Sequence, residues 1–546
     1  MAFADLLEQV GSMGRFQYLH VTLLSLPILM LASHNLLQNF AAAVPPHHCA
    51  FRGNLSVPGL DTEETLRISV PLDQRGRPQQ CRRYAQPQWH LLGSNSSVEP
   101  EDKMEVKEME TEGCVDGWNY DMRDMTSTII SEWDLVCDLR SLKRMGQTVY
   151  MGGVLVGALV FGGLSDRFGR RVLLLISNLL LAVSGTCAAF STSFTMFCVF
   201  RFFCGMGLSG LILNSFSLIV EWVPTRVRTI VGTVTGYCYT IGQIILAMVA
   251  YYIRDWRWLI LAVSLPFYNM FCWWFLESAR WLVLSKKPEQ AVKNLKAVAY
   301  INGRHMLQES MKKEMSCSKG SYSGVDLLRT QTLRTITICL SAVCFAYYGL
   351  SMDLQKFGVN IYLIQVIFGA VDIPSKIIVT VCMSTIGRRL SQCGALVLSG
   401  VAIFINLLVP YELQLVRTTL AVIGKGCLAA SFSCCYLYSG ELYPTVIRQN
   451  GMGWVTMMGR LGAMVAPMVL MLVEVKVWLP GLIFGGVPIL SGIFAYFLPE
   501  TLASPLPDTI QDPASGPCSQ ATMATSICHS INSVAAQSSN LSREVN

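Results

Sequence analysis

Charge is scarce in this chain. Asp, Glu, Lys and Arg make up only 14% of its 546 residues, while 52% are hydrophobic, a balance that excludes an ordinary soluble enzyme of this size. The phosphate-cradling pattern G-x-x-x-x-G-K-[ST] is missing, which removes the basis for an ATP-driven pump. No cluster of His, Cys, Asp or Glu has metal-ligand spacing, and no nucleophile–base constellation stands out. Neither a metal, a cofactor nor enzymatic catalysis is therefore expected. The net charge of +6 is no argument for nucleic acid, because much of it falls where membrane insertion needs it.

What is present is a series of apolar stretches of about 20 residues, each able to cross a hydrocarbon core of roughly 30 Å as a helix. Twelve are legible, at 17–43, 145–164, 172–191, 194–219, 230–252, 257–276, 333–352, 359–382, 391–410, 416–439, 450–473 and 477–498. The expected fold is an all-α membrane protein of twelve transmembrane helices. The first run is too long, and too polar at its end, for a cleaved signal peptide. Arg167, Arg170, Arg171, Arg226, Arg228, Arg280, Lys286, Lys287, Arg388, Arg389 and Arg448 all fall on one side of this arrangement. The positive-inside rule makes that side the cytoplasm, with both termini there. The opposite side receives the long segment 44–144. It carries glycosylation sequons headed by Asn54 and Asn95, and the cysteines Cys49, Cys81, Cys114 and Cys137. In an oxidising compartment these suggest two disulfides, with three possible connectivities. The expected divisions are a cytoplasmic N-terminus 1–16, an N-terminal half 17–277, a cytoplasmic linker 278–332, a C-terminal half 333–501 and a disordered tail 502–546.

One phrase occurs twice. E-W-V-P-T-R-V-R at 221–228 returns as E-L-Y-P-T-V-I-R at 441–448, with Glu, Pro, Thr and Arg in the same four places. Gly169-Arg170-Arg171 matches Gly387-Arg388-Arg389, Gly205-x-Gly207 matches Gly424-x-Gly426, and Glu277 matches Glu500, all at nearly the same offset. Two pseudo-symmetric copies of one six-helix unit are implied, the architecture of secondary transporters. After the second span comes G-G-L-S-D-R-F-G-R-R, residues 162–171. A short positive turn accounts for its arginines but not for Gly162, Asp166 and Gly169. The phrase resembles the signature between the second and third helices of the major facilitator superfamily, whose two halves rock about a central site. On that resemblance Asp166, Arg167, Arg170, Glu221, Arg228, Glu277, Arg388, Glu441, Arg448 and Glu500 belong to an inner gate of ion pairs. Static capping of helix ends and contact with lipid headgroups is the plainer role for any one of them.

Ionisable groups inside apolar spans are costly. Those read here are His34, Asp372, Lys376, Lys425 and Arg460, with Asp353 near a helix end. Setting aside the histidine and Asp353, three cations stand against one acid, and all lie in the C-terminal half. That imbalance points to an anionic cargo. Arg460 keeps its charge when buried and can grip a carboxylate or sulfonate with two parallel hydrogen bonds. A structural pair with an acid on a neighbouring helix is the alternative. Lys376 follows Asp372 by four residues on one helical face, so an intrahelical ion pair could be its whole role. Lys425 lies between glycines, where helix packing and function are equally open.

M-A-F-A-D-L-L-E-Q-V-G at the start, A-S-H-N-L-L-Q-N-F at 32–40, S-T-I-I-S-E-W-D-L-V-C at 127–137, L-E-S-A-R-W at 276–281 and G-E-L-Y-P-T-V-I-R-Q at 440–449 resemble the organic anion transporters of solute carrier family 22. The likeness covers nearly all of 1–510. It implies a plasma-membrane carrier that exchanges small amphipathic organic anions, such as para-aminohippurate or estrone sulfate, for an intracellular dicarboxylate. It implies Arg460 as the anion-recognition residue and Lys376 as a substrate-affecting one. Asn35, Tyr239, Tyr347, Tyr348, Phe432 and Tyr436 would line the pocket. A cation or zwitterion carrier of the same fold, and a receptor-like protein that binds without turnover, are the alternatives. The chain departs from the family pattern before Phe345, where four residues including a tryptophan are missing. That shortens the helix by about 6 Å but largely keeps its downstream face.

Overall fold

A computed structural model describes residues 10–506 except 12, 51–61, 73–77, 90–109, 124, 225–226, 270–274, 305–333, 335–336, 338–360, 411–412, 446, 472–475, 477, 503 and 505. The first half contains α1 (Arg15–Ala41), α2 (Thr62–Ser69), α3 (Ile129–Glu132), α4 (Arg140–Phe168), α5 (Arg170–Ala189), α6 (Phe194–Trp222), α7 (Arg228–Tyr252), α8 (Trp256–Ser264) and α9 (Pro266–Asn269). The linker contributes α10 (Ala279–Leu284) and α11 (Pro288–Ile301). The second half contains α12 (Ile361–Thr385), α13 (Arg388–Leu408), α14 (Gln414–Leu442), α15 (Arg448–Met471) and α16 (Leu479–Tyr496). Of the expected run 333–352 only Arg334 and Thr337 are among the described residues; each of the others coincides with a helix, the run 257–276 being described as far as Asn269. Eight helical stretches among the described residues are long and apolar enough to cross a membrane. Short polar residues set their starts where water is expected. Ser193 Oγ caps α6 through the Met196 amide at 3.3 Å, and Asp255 caps α8 through the Arg257 amide at 2.9 Å.

Within the first half α6 packs against α4 and α5, and α1 against α7. Within the second, α13 packs against α14 and α16, and α12 against α14. The halves meet along two helix pairs, α4 with α15 and α7 with α12. Glycine makes the first of these seams possible. A Cβ on Gly162 would lie 2.9 Å from the Gln449 carbonyl, and one on Gly453 would lie 2.4 Å from the Ala158 carbonyl, so the two backbones approach closely only because these side chains are absent.

The described part of the segment between α1 and α4 is small and cross-linked. Strands β1 (His47–Cys49) and β4 (Trp118–Tyr120) pair antiparallel, as do β2 (Arg83–Tyr84) and β3 (Thr111–Glu112). Of the three connectivities, the structure has Cys49–Cys114 and Cys81–Cys137. The His47 ring lies close to Cys81 and Cys137, but those sulfurs are bonded to each other and present no thiolate pair to a metal. Glu132, at the end of α3, accepts from Trp256 Nε1 at 2.7 Å and pairs with Arg257, docking the segment on α8. Ile129 and Ile130 are buried in the same apolar cluster as Phe40 and Trp256.

The two Gly-Arg-Arg repeats are built alike. Gly169 and Gly387 have φ of +103° and +104°, and a Cβ on either would come within 2.4 Å of a carboxylate oxygen, of Glu277 and Glu500 respectively. Side chains are excluded there both by backbone conformation and by space. Gly169→Ala is expected to destabilise the protein by about 1–3 kcal/mol. Gly152→Ala, where a Cβ meets nothing within 4 Å, should be neutral; equal melting temperatures for the two purified variants would contradict this.

Candidate functional site

The centre of the molecule is organised by one stripe of α7. Gly236, Tyr239, Thr240 and Gln243 lie on a single helical face and meet groups from three other helices. Asn35 Nδ2 of α1 donates to Tyr239 Oη at 2.8 Å. Lys376 of α12, 5% exposed, donates from Nζ to the Gly236 carbonyl at 2.7 Å and also to Thr240 Oγ1. Tyr239 lies in electrostatic range of Arg460 and Asp372 and hydrogen-bonds to Gln243. Arg460 of α15 is 1% exposed, and its Nη1 contacts Met151 Sδ of α4 at 3.6 Å.

These contacts bring Asn35, Tyr239, Lys376 and Arg460 together at the junction of the halves. They also redirect Lys376. The Asp372–Lys376 spacing suits an intrahelical pair, and Asp372 does stay in electrostatic range. The ammonium's hydrogen bonds nevertheless go to α7 in the other half, and Asp372 Oδ1 has no hydrogen-bond partner among the described residues. Lys425 is half-buried and also within electrostatic range of Lys376. On α14 the Phe432 and Tyr436 rings meet edge-on at 4.7 Å, and Tyr436 meets Phe216 of α6 at 6.0 Å. Tyr347, Tyr348, Asn54, Asn95 and the shortened stretch before Phe345 lie outside the described residues.

One buried cation is missing from the count made on the sequence. Arg201 of α6 is 1% exposed and falls inside the run 194–219, so buried positive charge is not confined to the second half. Its signal was an arginine in the apolar stretch V-F-R-F-F-C; the repeated motifs lie elsewhere and do not mark it. The stripe partners Gly236, Thr240 and Gln243 gave no sequence signal, because nothing in an isolated helix says which face meets a lysine from another half.

The repeated motifs meet at one end of the bundle. Glu221 Oε1 lies 2.9 Å from Arg448 Nη1 and 3.5 Å from Arg170 Nη2. Glu441 mirrors it, with Arg388 Nε at 3.2 Å and Arg228 Nη1 at 3.7 Å. Each glutamate is therefore held by one arginine of its own half and by the repeat arginine of the other. Further bonds cross the same junction. Arg170 Nη2 donates to the Thr445 carbonyl at 3.0 Å, and Arg388 Nη2 to Thr229 Oγ1 at 2.7 Å. Asp166 Oδ2 accepts from the Asn450 amide at 3.0 Å and from its Nδ2 at 2.7 Å.

Glu277 and Glu500 do not cross between halves. Each caps the helix that follows a Gly-Arg-Arg glycine. Glu277 accepts from the Arg170 and Arg171 amides at 3.1 and 3.0 Å, Glu500 from those of Arg388 and Arg389 at 2.9 and 3.1 Å. Burial pushes the Glu277 carboxyl above its ordinary range, against the opposing pull of Arg170 and the amides. Arg167 stands apart, exposed, with its guanidinium 5.4 Å from the Phe168 ring.

Residues 105–510 match the family model described as "Sugar (and other) transporter". Solute carrier family 22 member 6 of Danio rerio is 73% identical over 94% of both chains. The chain belongs to solute carrier family 22. Organic anion transporter 3 of Pongo abelii is 48% identical, over 94% of this chain and 93% of its own. Among solved structures, the major facilitator superfamily proton:xylose symporter XylE bound to 6-bromo-6-deoxy-D-glucose aligns with a TM-score of 0.58 at 19% identity, over 69% of this chain and 90% of that one. The fold is that of the major facilitator superfamily. A solute carrier 22 chain of this fold is a multi-pass membrane transporter and not an enzyme, which fits two helix bundles joined by buried ion pairs at one end.

Removing one partner of a buried ion pair strands the other charge. Arg448→Ala and Glu221→Ala should each lower the melting temperature of the purified protein. The double variant should lose less than the sum, with a coupling of about 0.5–3 kcal/mol; additive losses in the thermal denaturation cycle would show that the pair is not coupled.

Proposed function

We propose that this carrier exchanges small amphipathic organic anions across the plasma membrane for dicarboxylates, by alternating access. The observation that carries the reading is Arg460, buried where the halves meet and in electrostatic range of Tyr239, with Lys376 reaching across from α12 to α7. The anion's charge pairs with Arg460 and its apolar body lies among Tyr239, Phe432 and Tyr436; Tyr347 and Tyr348, assigned to the pocket by the family resemblance, lie outside the described residues. Lys376 adds a second cation and, through Gly236 and Thr240, links occupancy to the contact between halves. Names of relatives such as organic anion transporter 3 point the same way.

The physical reason for exchange lies in the site's charge. A binding site with more cations than acids is costly to seal from water without an anion inside, by several kcal/mol. The loaded carrier reorients and the empty one stalls, so outward and inward fluxes are tied together. The reciprocal glutamate–arginine pairs form the inner gate, with Asp166 as a further tie and Glu277 and Glu500 fixing the helix starts. In this reading both termini are cytoplasmic and 44–144 is extracellular and glycosylated at Asn54 and Asn95; the tail beyond 506 lies outside the described residues.

Uptake of labelled para-aminohippurate into expressing cells is expected to rise when the cells are preloaded with glutarate. Arg460→Ala should cut uptake at least about 10-fold at equal surface level, as the loss of a charged hydrogen-bonding partner implies; Lys376→Ala should mainly raise the half-saturating concentration. Uptake of an organic cation instead would favour the cation-carrier alternative, binding without uptake a receptor-like protein, and full activity of Arg460→Ala would remove the assigned site.

A further inference from the structure

Arg201 has no place in the mechanism above. Its guanidinium is buried in α6, and its Nη2 donates to the His34 carbonyl at 3.4 Å. Nε and Nη1 have no hydrogen-bond partner among the described residues. The guanidinium also lies over the Tyr150 ring of α4, whose centroid is 4.2 Å from Cζ. The Tyr150 hydroxyl is itself buried and without a hydrogen-bond partner among the described residues. A permanently charged guanidinium that has, among the described residues, a carbonyl and an aromatic face as its contacts and no ion pair is a poor resting arrangement unless a counter-charge arrives from outside the chain.

The geometry also says from which direction. Tyr150 is in electrostatic range of both Arg201 and Arg460. The residue next to it, Met151, is the one that Arg460 touches. Two arginines, one from each half, thus flank consecutive residues of α4, with the Tyr150 ring over one of them. Arg201 Nε and Nη1 and the Tyr150 hydroxyl are donors without a hydrogen-bond partner among the described residues, and the fixed positive charge of the guanidinium suits the set to an anion.

We infer that Arg201 is a second anion subsite, which takes the far carboxylate of a dicarboxylate whose near carboxylate is held at Arg460. The inference rests on the exchange reading above and assigns its counter-substrate a residue. Monoanions engage Arg460 alone and leave Tyr150 over Arg201. A dicarboxylate displaces the ring and exchanges a cation–π contact for a charged hydrogen bond. Two charges on the ligand then meet two arginines from opposite halves, which distinguishes the counter-ion from the bulkier monoanionic cargo.

The test compares labelled glutarate with labelled para-aminohippurate in cells, at matched surface level, for the wild type, Arg201→Gln and Arg201→Lys. In Arg201→Gln the half-saturating glutarate concentration should rise at least about 10-fold while that of para-aminohippurate stays within about 2-fold. Arg201→Lys, which keeps the charge but not the fork, should fall between the two. Parallel loss of both substrates, or no change in either, overturns the subsite. If Arg201→Gln does not reach the surface, Arg201→Lys decides, and an unchanged ratio of the two half-saturating concentrations overturns it. A wild type that transports para-aminohippurate but neither takes up glutarate nor is stimulated by it from within overturns the exchange reading instead.

Discussion

Everything at the charged end of this molecule depends on a reciprocal arrangement of two glutamates and four arginines. Glu221 and Glu441 each accept an arginine from their own half and the repeat arginine from the other. Neither half can satisfy its buried charges alone. Removing one member of such a set costs about 3–5 kcal/mol, whereas pulling the halves apart as units exposes all its members to water together. Glycines at Gly162 and Gly453 serve this arrangement by letting α4 and α15 approach closely enough for the ends to meet.

Pseudo-symmetry accounts for the framework and fails where the chemistry becomes specific. Gly169 with Glu277 and Gly387 with Glu500 are the same device built twice, a left-handed glycine and a carboxylate that caps the following helix. Asp166 breaks the pattern. It holds Asn450 of the other half, while its counterpart, three residues before Gly387, is Ser384, which bonds within its own helix to the Thr380 carbonyl. The central site is less symmetric still, with Arg460 and Lys376 from one half and Asn35, Tyr239 and Thr240 from the other.

Closing such a site is an electrostatic problem before it is a steric one. Lys376 spends its hydrogen bonds on a carbonyl and a hydroxyl of α7 rather than on Asp372, so the contact between halves and the charge of the site share one side chain. Any anion that draws the ammonium away must loosen that contact.

Much of this was legible in the sequence, for a definite reason. Apolar runs, the Gly-Arg-Arg motifs, the duplicated phrase and the family resemblance can be read from short stretches of chain, and helix geometry over a few residues fixes what most of them mean. The partners are another matter. The sequence could not say that Glu221 takes Arg448, that Lys376 turns from its neighbour Asp372 to Gly236 and Thr240, or which of three cysteine pairings forms. Arg201 carried the same local mark as the other in-span charges, an arginine within an apolar run, but not what it would meet. These choices join residues tens to hundreds of positions apart, and only the packing of whole helices against each other decides which buried charges end up face to face.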